Sequence, residues 1–118
     1  MENTVLAFNY YLNGFLAGYR DASKEYTDLE PIETPLREVG FSDEEIDELL
    51  LTLEGDDGAL FIPRSKYLIY KFIAYGLLLE EEEITSPRDI LQFLDEKGFQ
   101  VSGEDAEGIF RQINTLDF

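Results

Sequence analysis

Apolar residues recur in the first part of the chain at Val5, Phe8, Leu12, Phe15, Leu16 and Tyr19, three or four positions apart. That spacing puts them on one face of an α-helix, predicted from about Thr4 to Ala22. Gly14 and Gly18 lie four apart on it and would permit a close helix crossing. From Ser23 to Gly40 the pattern breaks among acids, Pro31 and Pro35, which predicts an irregular stretch with at most a short turn of helix after Pro35. Ser42 followed by Glu45 is a capping box, opening a helix to about Glu54 that Gly55-Asp56-Asp57-Gly58 ends. Ile46, Leu49, Leu50 and Leu53 make its apolar face, while Leu51 falls on the acidic side, where an exposed leucine would suit a partner's contact.

Ala59 to Ile62 reads as a short strand or extended segment stopped by Pro63. Tyr67 to Leu79 is apolar nearly all round, as befits a central helix covered by its neighbours, although its Ile, Phe and Tyr content also suits a pair of strands. Ser86-Pro87 starts a helix that carries Ile90, Leu91, Phe93 and Leu94 and stops at Gly98. Phe99 to Val101 is a brief extended stretch, and Ser102 caps a last helix with Ile109, Phe110 and Ile113 on its apolar face. The expected fold is mainly α, or α+β with a small sheet: one compact domain of about four to five helices over residues 1–118.

Charge changes this picture most. The chain has 26 acids, 9 bases and a formal net charge of −17, yet 44% of its residues are hydrophobic, enough for a packed core. Residues 1 to 24 hold two acids and two bases, and residues 63 to 79 hold no acid and three bases, Arg64, Lys66 and Lys71. Both read as scaffold. Residues 25 to 62 hold thirteen acids and one base, and residues 80 to 118 hold eleven acids and three bases. Such imbalance repels itself and attracts basic ligands.

The residue inventory excludes much chemistry. With no cysteine there are no disulfides, thiolate metal sites or thiol nucleophiles, and with no histidine Ser-His and Cys-His systems fall too. Three of the five serines are accounted for as helix caps. No enzyme, cofactor or metal is expected. Gly55 to Gly58 puts two aspartates where a phosphate loop needs backbone donors in a positive field. An EF-hand alignment with Gly58 as the invariant glycine places Leu53 and Gly55 at ligand positions and Arg64 where a glutamate belongs. What survives of that alignment is a degenerate, metal-free helix-loop-helix interaction module. Direct nucleic-acid binding is disfavoured by the lack of Lys and Arg clusters. The start Met1-Glu2-Asn3-Thr4 has no signal-peptide character and the run to Leu79 is short for a bilayer span and interrupted by Lys71, so a cytoplasmic protein away from membranes is expected.

What remains is negative charge displayed on helices. The candidate partner-binding groups are Asp43, Glu44, Asp47 and Glu48; Asp56 and Asp57; Glu80, Glu81, Glu82 and Glu83; and Glu104, Asp105 and Glu107. Acids in a first helical turn complement the macrodipole, which explains Asp43, Glu44, Glu104 and Asp105 without a partner. Glu80 to Glu83 sit at a helix C-terminus, where the dipole opposes them.

In size, charge and these carboxylate groups the chain resembles the small acidic DNA-mimic proteins of bacteria and phages, among them the one that binds the histone-like protein HU. The resemblance implies a monomer or weak dimer whose carboxylates imitate phosphates and occupy the DNA-binding surface of a basic protein: a nucleoid protein such as HU, a repressor or a nuclease. The rival expectation is an immunity-type inhibitor of one basic toxin, steered by acids and anchored by an apolar residue such as Leu51 or Tyr26.

Overall fold

The computed structural model describes residues 2–22, 30–51, 62, 63 and 65–116. Among these the chain forms six helices, α1 (Glu2–Ala22), α2 (Glu30–Glu38), α3 (Asp43–Leu50), α4 (Lys66–Leu79), α5 (Pro87–Glu96) and α6 (Gly103–Ile113). No strand occurs among the described residues, so the fold is mainly α. Ile62 belongs to no strand, and the rest of the short strand or extended segment expected from Ala59 to Ile62 lies outside the described residues, as do 52–54, Asp56, Asp57, Arg64 and Tyr26.

The helix α2 corrects the expectation of an irregular stretch up to Gly40. Pro35 lies inside it. A proline in a helix interior costs about 3 kcal/mol, but Ile32 and Leu36, one turn apart, are each 1% exposed. Burying two such side chains contributes about 1.5–3 kcal/mol each, enough to offset the lost hydrogen bond. Tertiary burial decided the element against local preference.

At the centre is α4, buried continuously from Leu68 to Leu77. It packs on α1 along one side and on α6 along another, with α5 laid against α6 and α2 against α3 and α1. Two tyrosines make the crossings close. The ring of Tyr11 lies on Gly76 and the ring of Tyr70 on Gly108, so that a methyl at either glycine would fall inside the ring. The close approach of α1 to α4 therefore uses Gly76; Gly14, expected to permit it, has nothing within 4 Å of where its side chain would be. Around Phe72 gather Phe8 and Phe15, edge-on at 5.7 and 6.0 Å, and Tyr75, stacked at 5.6 Å.

An ion pair is built into this core. Lys71 of α4, which the charge pattern grouped with Arg64 and Lys66 as a basic segment, is 6% exposed and faces inward. Its Nζ donates to Glu45 Oε1 at 3.1 Å and to the Gly40 carbonyl at 2.8 Å, and lies 4.8 Å over the Phe41 ring. Glu45 is itself the capping-box residue, accepting from the Ser42 N–H at 2.7 Å while Ser42 Oγ accepts from the Glu45 N–H at 3.2 Å. Burial works against its charge, but the Ser42 and Lys71 donors outweigh burial and hold its carboxyl below the usual range. A single carboxylate thus joins the start of α3 to α4.

Candidate functional site

Three helices end in the same way. After α2, Gly40 takes φ 110°, with Gly40 N–H donating to the Arg37 carbonyl at 3.1 Å and Phe41 N–H to the Leu36 carbonyl at 2.9 Å. After α5, Gly98 takes φ 91°, with N–H donors of Gly98 and Phe99 on the carbonyls of Asp95 and Leu94 at 2.9 and 2.8 Å. Both are Schellman turns with glycine in the left-handed position and an apolar residue next. After α4 the hydrogen bonds repeat, Glu81 N–H to Leu78 at 3.0 Å and Glu82 N–H to Leu77 at 3.3 Å, but the left-handed residue is Glu81, at φ 59°. Glutamate there costs about 1–2 kcal/mol that glycine does not. The apolar residue that follows in the other two turns is here Glu82.

The run Glu80 to Glu83 is thus doubly unfavourable to its own helix, in charge against the dipole and in backbone conformation. All four residues lie just beyond α4, which ends at Leu79. Glu81 and Glu83 are exposed and Glu82 half-buried. Glu80 is engaged: its Oε2 accepts from Nζ of Lys97, the residue just past α5, at 2.8 Å and from the Tyr11 hydroxyl at 3.5 Å. Burial first, then the charges of Glu80 and Glu82, push the Tyr11 hydroxyl far above its ordinary pKa.

The second acidic group is on α3. Asp43, Glu44 and Asp47 are exposed and Glu48 half-buried. Asp43 is matched by Arg37, whose Nε donates at 2.8 Å. Tyr67, at the start of α4, is held neutral to higher pH by burial and by Glu45, Glu48 and Glu44. The α3 acids therefore flank the N-terminal end of α4, and Glu80 to Glu83 the C-terminal end. Glu80 follows Tyr67 by thirteen positions, about 20 Å at a helical rise of 1.5 Å each. Leu51 is exposed beside the α3 group, as its position on the acidic side required.

On α6 the candidates divide. Glu104 and Glu107 are exposed, but Asp105 is 4% exposed and belongs to the interior. It accepts from the hydroxyls of Thr4 (2.7 Å) and Tyr70, tying α6 to α1 and α4. Burial disfavours its charge, but the Tyr70 and Thr4 donors prevail and its carboxyl is held below the usual range. Asp105 is therefore withdrawn as a surface contact. Its cap position, three residues after Ser102, points it along the first turn, and α1 and α4 cover it there.

Beside Glu80 the fold opens a pocket of about 340 Å³ between α1 and α4. Tyr10, Tyr11, Gly14 and Phe15 of α1 line one wall, and Phe72, Gly76 and Leu79 of α4, with Glu80, line the other. Tyr10 and Leu79 are about half exposed at its rim. Of these residues the sequence had singled out Glu80 as an acidic candidate, Gly14 as a crossing glycine and Phe15 as part of an apolar face, but nothing joined them; two adjacent tyrosines near a helix glycine were the available signal. No helix among the described residues is long and apolar enough to cross a membrane. Comparisons of the chain with protein-family models, curated proteins and solved structures give no match, so the residues and their geometry alone bear on what it does.

Proposed function

We propose that this protein is a DNA mimic: a non-catalytic cytoplasmic protein that occupies the DNA-binding surface of a basic DNA-binding protein, its exposed carboxylates standing in for phosphates. The observation that supports this most is the turn after α4. Two equivalent turns place glycine where this one places Glu81, so the fold can be built without four consecutive glutamates there. A gain from a basic partner accounts for the charge where folding does not.

The arrangement suits such a partner. Acidic groups at both ends of the buried, rigid α4 hold a fixed separation, whereas charges on a mobile tail would lose entropy on binding. The molecule spans 40 × 29 × 24 Å with a formal charge of −17. Duplex DNA carries about one charge per 1.7 Å of axis, or roughly 24 over a similar length. The protein's charge is of the same order, which is enough to compete for a surface that reads phosphates.

Competition tests the reading. Proteins retained from native extract on the immobilised chain, with histone-like HU as the first purified probe, should be displaced by duplex DNA at low salt. They should also leave between about 50 and 200 mM salt, where phosphate-type contacts lose most of their affinity. A partner that duplex DNA leaves in place at low salt overturns mimicry. One that withstands that salt range as well, and depends on Leu51, establishes the immunity-type inhibitor instead.

A further inference from the structure

We infer that the pocket between α1 and α4 receives an arginine side chain, with its guanidinium at Glu80 and its stem against the aromatic walls. As to source, the inference rests on the basic-partner reading above: the arginine belongs to that partner. The pocket's volume, about 340 Å³, lies within the range of small-ligand sites. Its walls are fixed by ring-on-ring packing: Tyr10 on Tyr11 at 5.2 Å, Tyr10 on Phe99 at 5.6 Å, and Phe15 on Tyr75 at 6.1 Å.

Gly14 bears most directly on an occupant. It lies in the interior of α1, where glycine is about 0.8–1 kcal/mol worse than alanine. Neither packing nor a left-handed backbone demands glycine there: nothing approaches the space its side chain would fill, and its φ is not positive. A side chain at 14 would narrow the pocket, and its absence keeps the pocket open.

Charge selects the occupant. Among the residues lining the pocket the charged one is Glu80, its carboxylate held at the mouth by the Tyr11 hydroxyl and by Lys97 from just past α5, and no base lines the walls. Anions are repelled. Lys97 already shows that Glu80 takes a cation. Its contact and that of Tyr11 both use Oε2, and among the described residues no contact engages Oε1. Arginine fits this combination better than lysine because its guanidinium is planar, weakly hydrated and able to stack on a ring while it donates to a carboxylate. A lysine ammonium would have to shed a tighter water shell.

The test uses N-acetyl-arginine methylamide as probe, followed by amide NMR shifts of the intact chain at low salt, with the neutral citrulline isostere and the lysine analogue in parallel. Arginine is expected to saturate shifts at Tyr11, Gly14, Gly76 and Leu79, with affinity about tenfold above citrulline, as for gain of a charge-assisted bond. Lysine is expected to be weaker than arginine. Gly14→Leu, which replaces the poorest helix former but proline with a good one, should fold and lose the response. Equal binding of citrulline, shifts confined to the α3 acids, or an unchanged response in Gly14→Leu would each overturn the inference. The DNA competition above is a separate reading: a pocket that binds arginine in a protein whose partner ignores DNA would end mimicry and leave the pocket standing.

Discussion

At position 81 a single dihedral angle separates conformation from charge. Glu81→Gly relieves both, whereas Glu81→Gln relieves charge alone. In thermal melts the glycine variant should therefore gain about 1 kcal/mol, a few degrees, and the glutamine variant only a few tenths. Equal gains would mean that the left-handed backbone is unstrained. Glu45, Asp89 and Asp105 make a second prediction. In Asp89 the Thr85 N–H and hydroxyl and the Ser86 N–H lower the pKa; in Glu45 and Asp105 donors overcome burial. Each folded carboxylate thus binds its proton less readily than in the unfolded chain, where the value is about 4. Their stabilisation is complete above that value and is lost as pH falls through the lower native ones. Tyr11 and Tyr70 are raised, by burial and by their carboxylate partners. Their stabilisation is complete below about pH 10 and is lost as pH rises beyond it. Urea denaturation across pH should show both losses. Asp105→Asn, about 1–3 kcal/mol less stable at neutral pH, should flatten the acidic one.

Between elements, the same substitution should have opposite signs at two glycines. Gly76→Ala puts a methyl inside the Tyr11 ring, close to its attachment, so the ring cannot swing clear without moving α1 from α4. Overpacking of this kind costs about 1–3 kcal/mol. Gly14→Ala meets nothing and should stabilise by up to about 1 kcal/mol through helix propensity. Circular-dichroism melts of the two variants decide the matter, and a shared sign would refute the crossing described for α1 and α4. At the end of α4, replacing Glu80 to Glu83 together with glutamine should leave the fold intact and weaken the basic partner; unchanged affinity removes the run from the interface. Each of these elements could be found from its residues, but the glycine that α1 needs is on α4, and sequence spacing pointed to Gly14 instead.

For the molecule as a whole, a charge of −17 on a domain this small stores repulsion that salt screens over about 10 Å at 0.1 M. Raising NaCl from about 10 mM to 0.5 M should increase the melting temperature. The same change should weaken the partner complex. A protein built around its surface ion pairs would respond in the opposite sense; among the described residues Arg37 with Glu33 and Asp43, and Lys97 with Glu80, are too few to reverse it. The structural consequence is that the core must hold the fold against its own surface. The continuous burial of α4 and the aromatic cluster on Phe72 supply that hold.

For Tyr67 to Leu79 the sequence left a helix and a pair of strands both open, but by itself it determined the positions of α1, α3, α5 and α6, the caps at Ser42, Ser86 and Ser102, and the segregation of acids from two apolar segments. These are local facts, set by a periodicity of about 3.6 residues and by side chains reaching three residues along the chain. Only the tertiary structure decided that α2 forms through Pro35, that Lys71 and Asp105 turn inward, that Glu81 rather than a glycine takes a left-handed turn, and that Tyr10, Tyr11 and Gly14 meet Glu80 around a pocket. Each of these depends on a partner far along the chain: Lys71 on Glu45, Asp105 on Thr4 and Tyr70, Tyr11 on Gly76. Whether a charged side chain faces water or a partner is an energy difference fixed by what packs over it, and composition does not contain that information.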